Sequence, residues 1–389
     1  MSSSDIDSRR GKGSKNKRSL FPLVILFTVL LMIASGVLVY LVREHVEASK
    51  GYDKTAYEMM ASGFTCEYSE AQKLYPFGEG VLKVTPTRVA YLSMTGSEVY
   101  GADIEMENPF CVVNQGYALV ADAGGYFSAL FDTNGQLYTY QTDGAIRFGT
   151  VGTDGTTAYI LEKTDTKGTL FLLDKNSVFI SEWRSVESGY PLSACFSPDQ
   201  TSVYIALADT DGGVVRPHMK EIGLSVENGA YTAKDLSIYS PDSSNILSIV
   251  QAMGDDTLFA AGISDLFLFN AGSSKSISEP FGQIFQVLPA GNRLAVFYSE
   301  GVDQEICLEL IGTDMKRQTP LIIGNELSAV IANDKMIVAA SDGVLLFIDA
   351  SNNTVIRTVE VNQEIIRVGF QEDGTVVAVT ADGVREIAA

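Results

Sequence analysis

The side chains that most readily do nucleophilic, acid–base or metal chemistry are scarce in this chain. There are two histidines, His45 and His218, and four cysteines, Cys66, Cys111, Cys195 and Cys307, in 389 residues. A Ser-His-Asp or Cys-His site needs an imidazole within hydrogen-bond reach of its nucleophile, so it would have to use one of these two. His45 follows a long apolar run, where an interfacial polar residue is expected. His218, in "VVRPHMK", reads as an exposed loop residue. The cysteines are far apart and none belongs to a Cys-x-x-Cys pair, which argues against structural zinc and thioredoxin-like chemistry. Cys111 and Cys195 fall in apolar runs, "PFCVV" and "SACF", where reduced, structural thiols are expected; the alternative is disulfides in an exported domain, for which four cysteines allow three pairings.

Other catalytic patterns fail in the same way. The chain has no Gly-x-Ser-x-Gly, no phosphate-binding P-loop and no His-Glu-x-x-His. "ADTDGG" (Ala208 to Gly213) opens like a calcium-binding loop, but the Glu required at loop position 12 is replaced by Lys220 when counting from Asp209. A hairpin turn is the expected structure there. Paired carboxylates for glycan chemistry need only sit about 5–10 Å apart. With 48 acidic residues no particular pair stands out. The sequence therefore names no catalytic residue, no cofactor ligand and no metal ligand.

The elements that would position any site are more legible. Residues 1–19 hold six basic groups against Asp5 and Asp7, a net of +4, which leaves −24 for the rest of a chain of net charge −20. Between the two regimes lies "LFPLVILFTVLLMIASGVLVYLV", residues 20–42, 23 residues without a charge. At about 1.5 Å per residue such a helix spans a bilayer core of about 30 Å. Basic residues precede it, so the N-terminus is expected in the cytoplasm and the acidic body outside. The expected organisation is a basic cytoplasmic tail (1–19), a transmembrane helix (20–42), a stalk (43–62) and an extracytoplasmic domain (63–389). A cleaved signal peptide is the alternative, although its apolar core usually runs only about 7–15 residues. An acidic body disfavours nucleic acid, whose binding requires Lys and Arg on phosphates.

From about Gly63 the chain consists of short runs rich in Val, Ile, Tyr, Phe and Leu, separated by turn residues. Asp-Gly or Asn-Gly occurs at 134–135, 143–144, 154–155, 211–212, 228–229, 342–343, 373–374 and 382–383. These dipeptides tolerate the positive φ of tight hairpin turns. "LSAVIANDK", "MIVAASDG", "VLLFIDASNN" and "TVIRTVEVNQ" (Leu327 to Gln363) read as four consecutive strands, and Pro109 to Gly144 repeats their order. Units can be drawn at 108–144, 145–189, 190–242, 243–283, 284–326 and 327–363. A four-strand repeat of about 40–45 residues predicts an all-β propeller. Eight blades are preferred and seven are the alternative count. "GFTCEYS" (Gly63 to Ser69) is the segment expected to complete the last blade, which lacks a fourth strand of its own. Unit 190–242 is the widest, and its excess is expected to project as longer loops.

"IDASNNTVIRTVEV" (Ile348 to Val361) resembles the repeat of YVTN-type propellers, with an Asp before an Asn-rich turn. "ADAGGYFSALFDTNGQLYTY" (Ala121 to Tyr140) and "VAYLSMTGSEVYG" (Val89 to Gly101) resemble quinoprotein-like repeats, with Tyr138 and Tyr100 near the position where those repeats place Trp. The single Trp is Trp183, a departure that puts quinone-cofactor binding in doubt. The whole arrangement is similar to a family of uncharacterised single-pass membrane proteins of Gram-positive bacteria, with a WD40-like propeller outside the membrane. The expected function is binding or scaffolding of an envelope protein, peptide or glycan. The alternative is an exported enzyme, either a carboxylate-based glycan hydrolase or lyase or a degenerate quinoprotein.

Overall fold

A computed structural model describes residues 62–387 apart from 228, 229, 244, 255, 256, 271, 272 and 303. The basic tail, the apolar run, most of the stalk and His45 lie outside the described residues. Among the described residues no helix is long and apolar enough to cross a membrane.

The strands form eight four-stranded antiparallel sheets, so the preferred blade count holds. Blades 1 to 7 are consecutive in sequence and span residues 74–103, 109–141, 145–185, 190–239, 249–276, 283–324 and 329–360. The eighth takes three strands from 365–387 and its fourth from Gly63–Thr65. Within each blade we letter the strands A to D in the order they lie in the sheet. Strand A of every blade touches strand A of the next, all the way round, so these strands form an inner ring about the axis.

Each blade is sandwiched between two others, and this decides the sequence pattern. Strands B and C are covered on both faces and read as continuous apolar runs: Thr257–Ala261 and Gly168–Leu173 are buried throughout. Strand D is solvated on its outer side and alternates, as in Glu98–Asp103. The core is accordingly divided among eight seams, one cluster per pair of neighbouring blades. Small residues such as Ala118, Ala206, Ala339 and Ala378 occupy strand B, whereas Phe131, Phe269 and Phe347 stand on strand C, where the seams widen.

Ring closure occurs where the sequence placed it, although with a shorter strand. Gly63, Phe64 and Thr65 pair with Arg385, Val384 and Gly383. The Cys66 N–H donates to Asp382 O at 3.0 Å and the Glu386 N–H to Ser62 O at 3.3 Å. Beyond Thr65 the expected strand is replaced by a one-turn helix, Tyr68–Ala71, which carries the chain over the sheet end into blade 1. Arg367 then ties the last blade to the first, donating to Gln72 O and Leu74 O with its guanidinium 4.0 Å from the Tyr75 ring centroid.

The turn dipeptides divide by role. Asp342-Gly343 has φ of 52° and 74°, the doubly left-handed turn of a two-residue hairpin. Asp143-Gly144, by contrast, is not a hairpin turn, because it joins strand D of blade 2 to strand A of blade 3. Asn228-Gly229 lies outside the described residues. In the YVTN-like stretch, Val344–Asp349 and Thr354–Glu360 are strands C and D of blade 7. Asp349 accepts the Ser351 N–H at 2.7 Å, and Asn353, at φ 60°, donates across the seam to Leu308 O at 3.1 Å. The Asp-Ala-Ser-Asn-Asn turn is therefore a local hydrogen-bonded device that also ties blade 7 to blade 6.

Candidate functional site

The widest blade departs from its neighbours, and the excess goes mainly into strands rather than loops, which corrects the expectation. Strand C of blade 4 (Arg216–Glu227) has 12 residues and strand D (Ala230–Tyr239) has 10. Their outer ends run past strand B at the face of the A–B and C–D turns. At the other face, the blade hands over to blade 5 through residues 240–248, the longest blade-to-blade connection.

This hand-over builds an open, mostly polar cleft of about 580 Å³. It is lined by the end of the B–C connection and the start of strand C (Val214 to His218), by Ser240 to Ser243 with Asn245, and by Asp265 in the B–C turn of blade 5. His218 is thus not the exposed loop residue expected from the sequence. It lies half-buried within strand C, with Nδ1 2.8 Å from Ser240 Oγ. The two residues are cross-strand neighbours because strand D pairs Tyr239 with Met219 one position before.

Two of the carboxylates around the cleft have partners. Asp265 Oδ2 accepts from Asn245 Nδ2 at 2.6 Å and Ser243 Oγ at 3.2 Å, which pins the connection to the blade 5 turn. Asp209, paired with Arg216 across the strands, accepts the Asp211 N–H at 3.0 Å. That hydrogen bond, helped by Lys167, His218 and Arg216 nearby, holds its carboxyl below the ordinary range. An activated serine needs its base oriented by a third group. Asp209 and Asp265 are thus engaged by the loop scaffold, and Asp242 also lines the cleft, so its lining is polar. No grouping of three or more His, Cys, Asp or Glu among the described residues is arranged to hold a metal ion.

The other residues singled out in the sequence are dispersed. Asp211–Gly213, in the failed calcium pattern, is a short 3-10 turn between strands B and C. The four cysteines are free and stand apart: Cys66 follows the closing strand, and Cys111, Cys195 and Cys307 belong to blades 2, 4 and 6. Burial pushes the thiols of Cys111 and Cys195 up to about 12. Tyr100 donates to Asp132 O at 2.7 Å and stacks on Tyr91 in the blade 1–2 seam. Tyr138 is buried against Thr157 and Tyr159 in the blade 2–3 seam. Trp183 lies 5.2 Å from the Lys220 ammonium, between blades 3 and 4. These aromatics are cement between blades and do not converge on a cofactor pocket.

Ser240, Asp242, Ser243, Asn245 and Asp265 were not legible as site residues. The available signal was "SPDSSN", the polar run at the longest connection, which the repeat boundary at 242/243 cuts in two.

Fold and cleft define the class: an eight-bladed, four-strand-per-blade β-propeller with a polar cleft at a blade seam. The chain belongs to a family of unknown function, DUF5711, whose pattern matches residues 50–388. No curated protein matches it in sequence. Among solved structures it is similar to BamB from Moraxella catarrhalis (13% identity, 84% of this chain and 96% of that one, TM-score 0.51). It is also similar to apo AztD from Citrobacter koseri (12%, 74% and 86%, 0.52) and to Chaetomium thermophilum Sqt1 (13%, 81% and 90%, 0.52). At these identities the likeness is one of fold.

Proposed function

We propose that this protein is a membrane-anchored binding or scaffolding module, with its N-terminus in the cytoplasm and its propeller outside, that engages an envelope protein, peptide or glycan through the face bearing the cleft. The observation that carries the reading is the placement of that cleft. It lies on the face of the D–A and B–C connections, whereas the closing strand starts at the opposite face: Gly63 pairs with Arg385, and Thr65 with Gly383 next to a B–C turn. The chain therefore enters the closing strand at the face opposite the cleft. The uncharged run at 20–42 and the basic residues before it support the anchor and its orientation.

The test is photo-crosslinking in intact cells from a probe at position 242, compared with a probe at position 154 on the opposite face. Discrete envelope adducts from 242 alone support the reading. Adducts to cytoplasmic proteins, or equal patterns from both positions, would overturn it.

A second reading, an exported glycan-cleaving enzyme, is favoured by Asp242 and Asp265 lining the same cleft. Release of reducing sugar ends from wall glycans, abolished by Asp242→Asn, would support it.

A further inference from the structure

We infer that the cleft-bearing face docks a polypeptide segment whose apolar residues are flanked by Lys and Arg, seated along a row of exposed aliphatic side chains. The row consists of Val214, Ile246, Ile263 and Val302, which are 51%, 49%, 66% and 88% exposed. Single exposed aliphatics are ordinary surface. These four belong to connections on one face, with the blade 5 to blade 6 connection lying between the last two. Val214 and Asn245 line the same cleft. A Cβ on Gly262 would lie 2.5 Å from Ile246 O, so Ile246 sits directly against the blade 5 turn that holds Ile263. Ile263 O accepts the Ile284 N–H at 2.7 Å, and a Cβ on the nearby Gly282 would lie 2.5 Å from Glu300, two residues before Val302. The row therefore runs along the rim from blade 4 to blade 6.

Charge selects the occupant. Among the described residues, the D–A and B–C connections carry 17 Asp and Glu against three Lys, whereas the A–B and C–D connections carry eight acidic against four basic residues. Asp242, Asp265, Glu279 and Glu305 flank the row, and the one cation lining the cleft is Arg216. Such a field raises the encounter rate of a cationic partner and repels nucleic acid and anionic lipid. It also disfavours a second copy of this chain, since two faces of the same sign would meet. Ser240, Ser243 and His218 beside the row supply donors and acceptors for a peptide backbone. The inference rests on the binding reading above and names the chemistry of its partner.

The experiment uses the full-length chain in non-ionic detergent and a fluorescein-labelled synthetic peptide, Lys-Arg-Ser-Ile-Ser-Leu-Ser-Ile-Lys-Arg, followed by fluorescence anisotropy. A second peptide replaces every Lys and Arg with Glu. The expected result is saturable binding of the basic peptide only, weakened at least tenfold between 50 and 300 mM salt. Binding should fall at least tenfold in Ile246→Ser/Ile263→Ser. It should be unchanged in Val178→Ser/Phe179→Ser, an exposed apolar pair on the opposite face. Absence of saturable binding, equal binding of the acidic peptide, or equal losses in both double variants would overturn the inference. Sedimentation showing a dimer that the Ile246/Ile263 variant abolishes would hand the row to a second copy and overturn it too. If the peptide fails while position 242 still gives envelope adducts in cells, only the partner chemistry falls and the binding reading stands.

Discussion

Replacing Glu309 by Gln should destabilise the propeller more than almost any other single-atom change. Glu309, on strand C of blade 6 (Ile306–Ile311), is 1% exposed yet carries a carboxylate. It receives Arg317 Nε at 3.0 and 3.1 Å, Arg317 Nη2 at 2.8 Å, the Gln318 N–H at 2.7 Å and the Tyr298 hydroxyl. The guanidinium lies against both the Phe281 and Tyr298 rings, 4.1 and 4.7 Å from their centroids. Breaking one side of a buried ion pair costs about 3–5 kcal/mol, because the remaining charge stays desolvated. Glu300, 2.7 Å from Arg317 but 50% exposed on its side chain, recovers part of this, so about 2–4 kcal/mol is expected. With a urea dependence of about 3 kcal/mol per M, the midpoint followed by circular dichroism should fall by about 1 M. Glu309→Leu with Arg317→Met removes both charges and should come within about 1 kcal/mol of the parent. A Glu309→Gln midpoint within 0.2 M of the parent, or a double variant as unstable as the single, would refute the reasoning.

Gly63→Ala should loosen the ring closure, since φ is +136° and the new Cβ would lie 2.1 Å from Val384 O. A loss of about 1–3 kcal/mol is expected, with faster amide exchange at Val384 and Arg385 and unchanged exchange in blades 3 and 4. Cys111 and Cys195 should resist Ellman's reagent at pH 8 in the native state and react after urea, because their thiols sit near 12; peptide mass mapping reads this out, and native labelling would contradict it. Burial raises the Tyr138 and Tyr159 hydroxyls above the ordinary tyrosine value. The stability they contribute is thus fully present below about pH 10, the unfolded value, and is lost as pH rises beyond it. Absorbance at 295 nm should show both ionising only with alkaline unfolding, and a Tyr138→Phe/Tyr159→Phe protein should miss that part of the late step.

Much of the architecture was legible because packing on both faces leaves a distinct mark. The buried B and C strands cannot alternate, so runs such as "MIVAAS" and "VLLFID" repeat with the blade and reveal the period. The missing last strand was legible for a related reason, since an unpaired edge must be covered and only the N-terminal segment was free to cover it. Two features were not legible. The one-turn helix at Tyr68–Ala71 depends on where blade 1 sits relative to the closing strand, a tertiary constraint absent from local propensity. The lengthened hairpin of blade 4 was read as loops because the excess length of unit 190–242 was assigned to its connections. In the fold Lys220 is 4% exposed, paired with Asp235 at 2.8 Å and set against Trp183.

The cleft escaped sequence reading for a reason that follows from the same regularity. A repeat is recognised by what its units share, and the shared positions are those that fill seams, so the pattern reports packing and is silent about sites. Function in such a scaffold must reside where a unit departs from its neighbours without opening a seam. The hand-over from blade 4 to blade 5 meets that condition. Leu247 remains buried and keeps its place in the seam core, while Ser240 to Ser243 and Asn245 lie outside the strands and line the cleft. One apolar anchor at the end of a long polar connection holds the seam shut, and the residues before it are free to vary in chemistry. Asp265, fixed by Ser243 and Asn245, then determines the path of that connection. Asp265→Ala should therefore weaken the binding proposed for the cleft, read by the anisotropy assay, while the eight-bladed ring stays closed, as followed by circular dichroism.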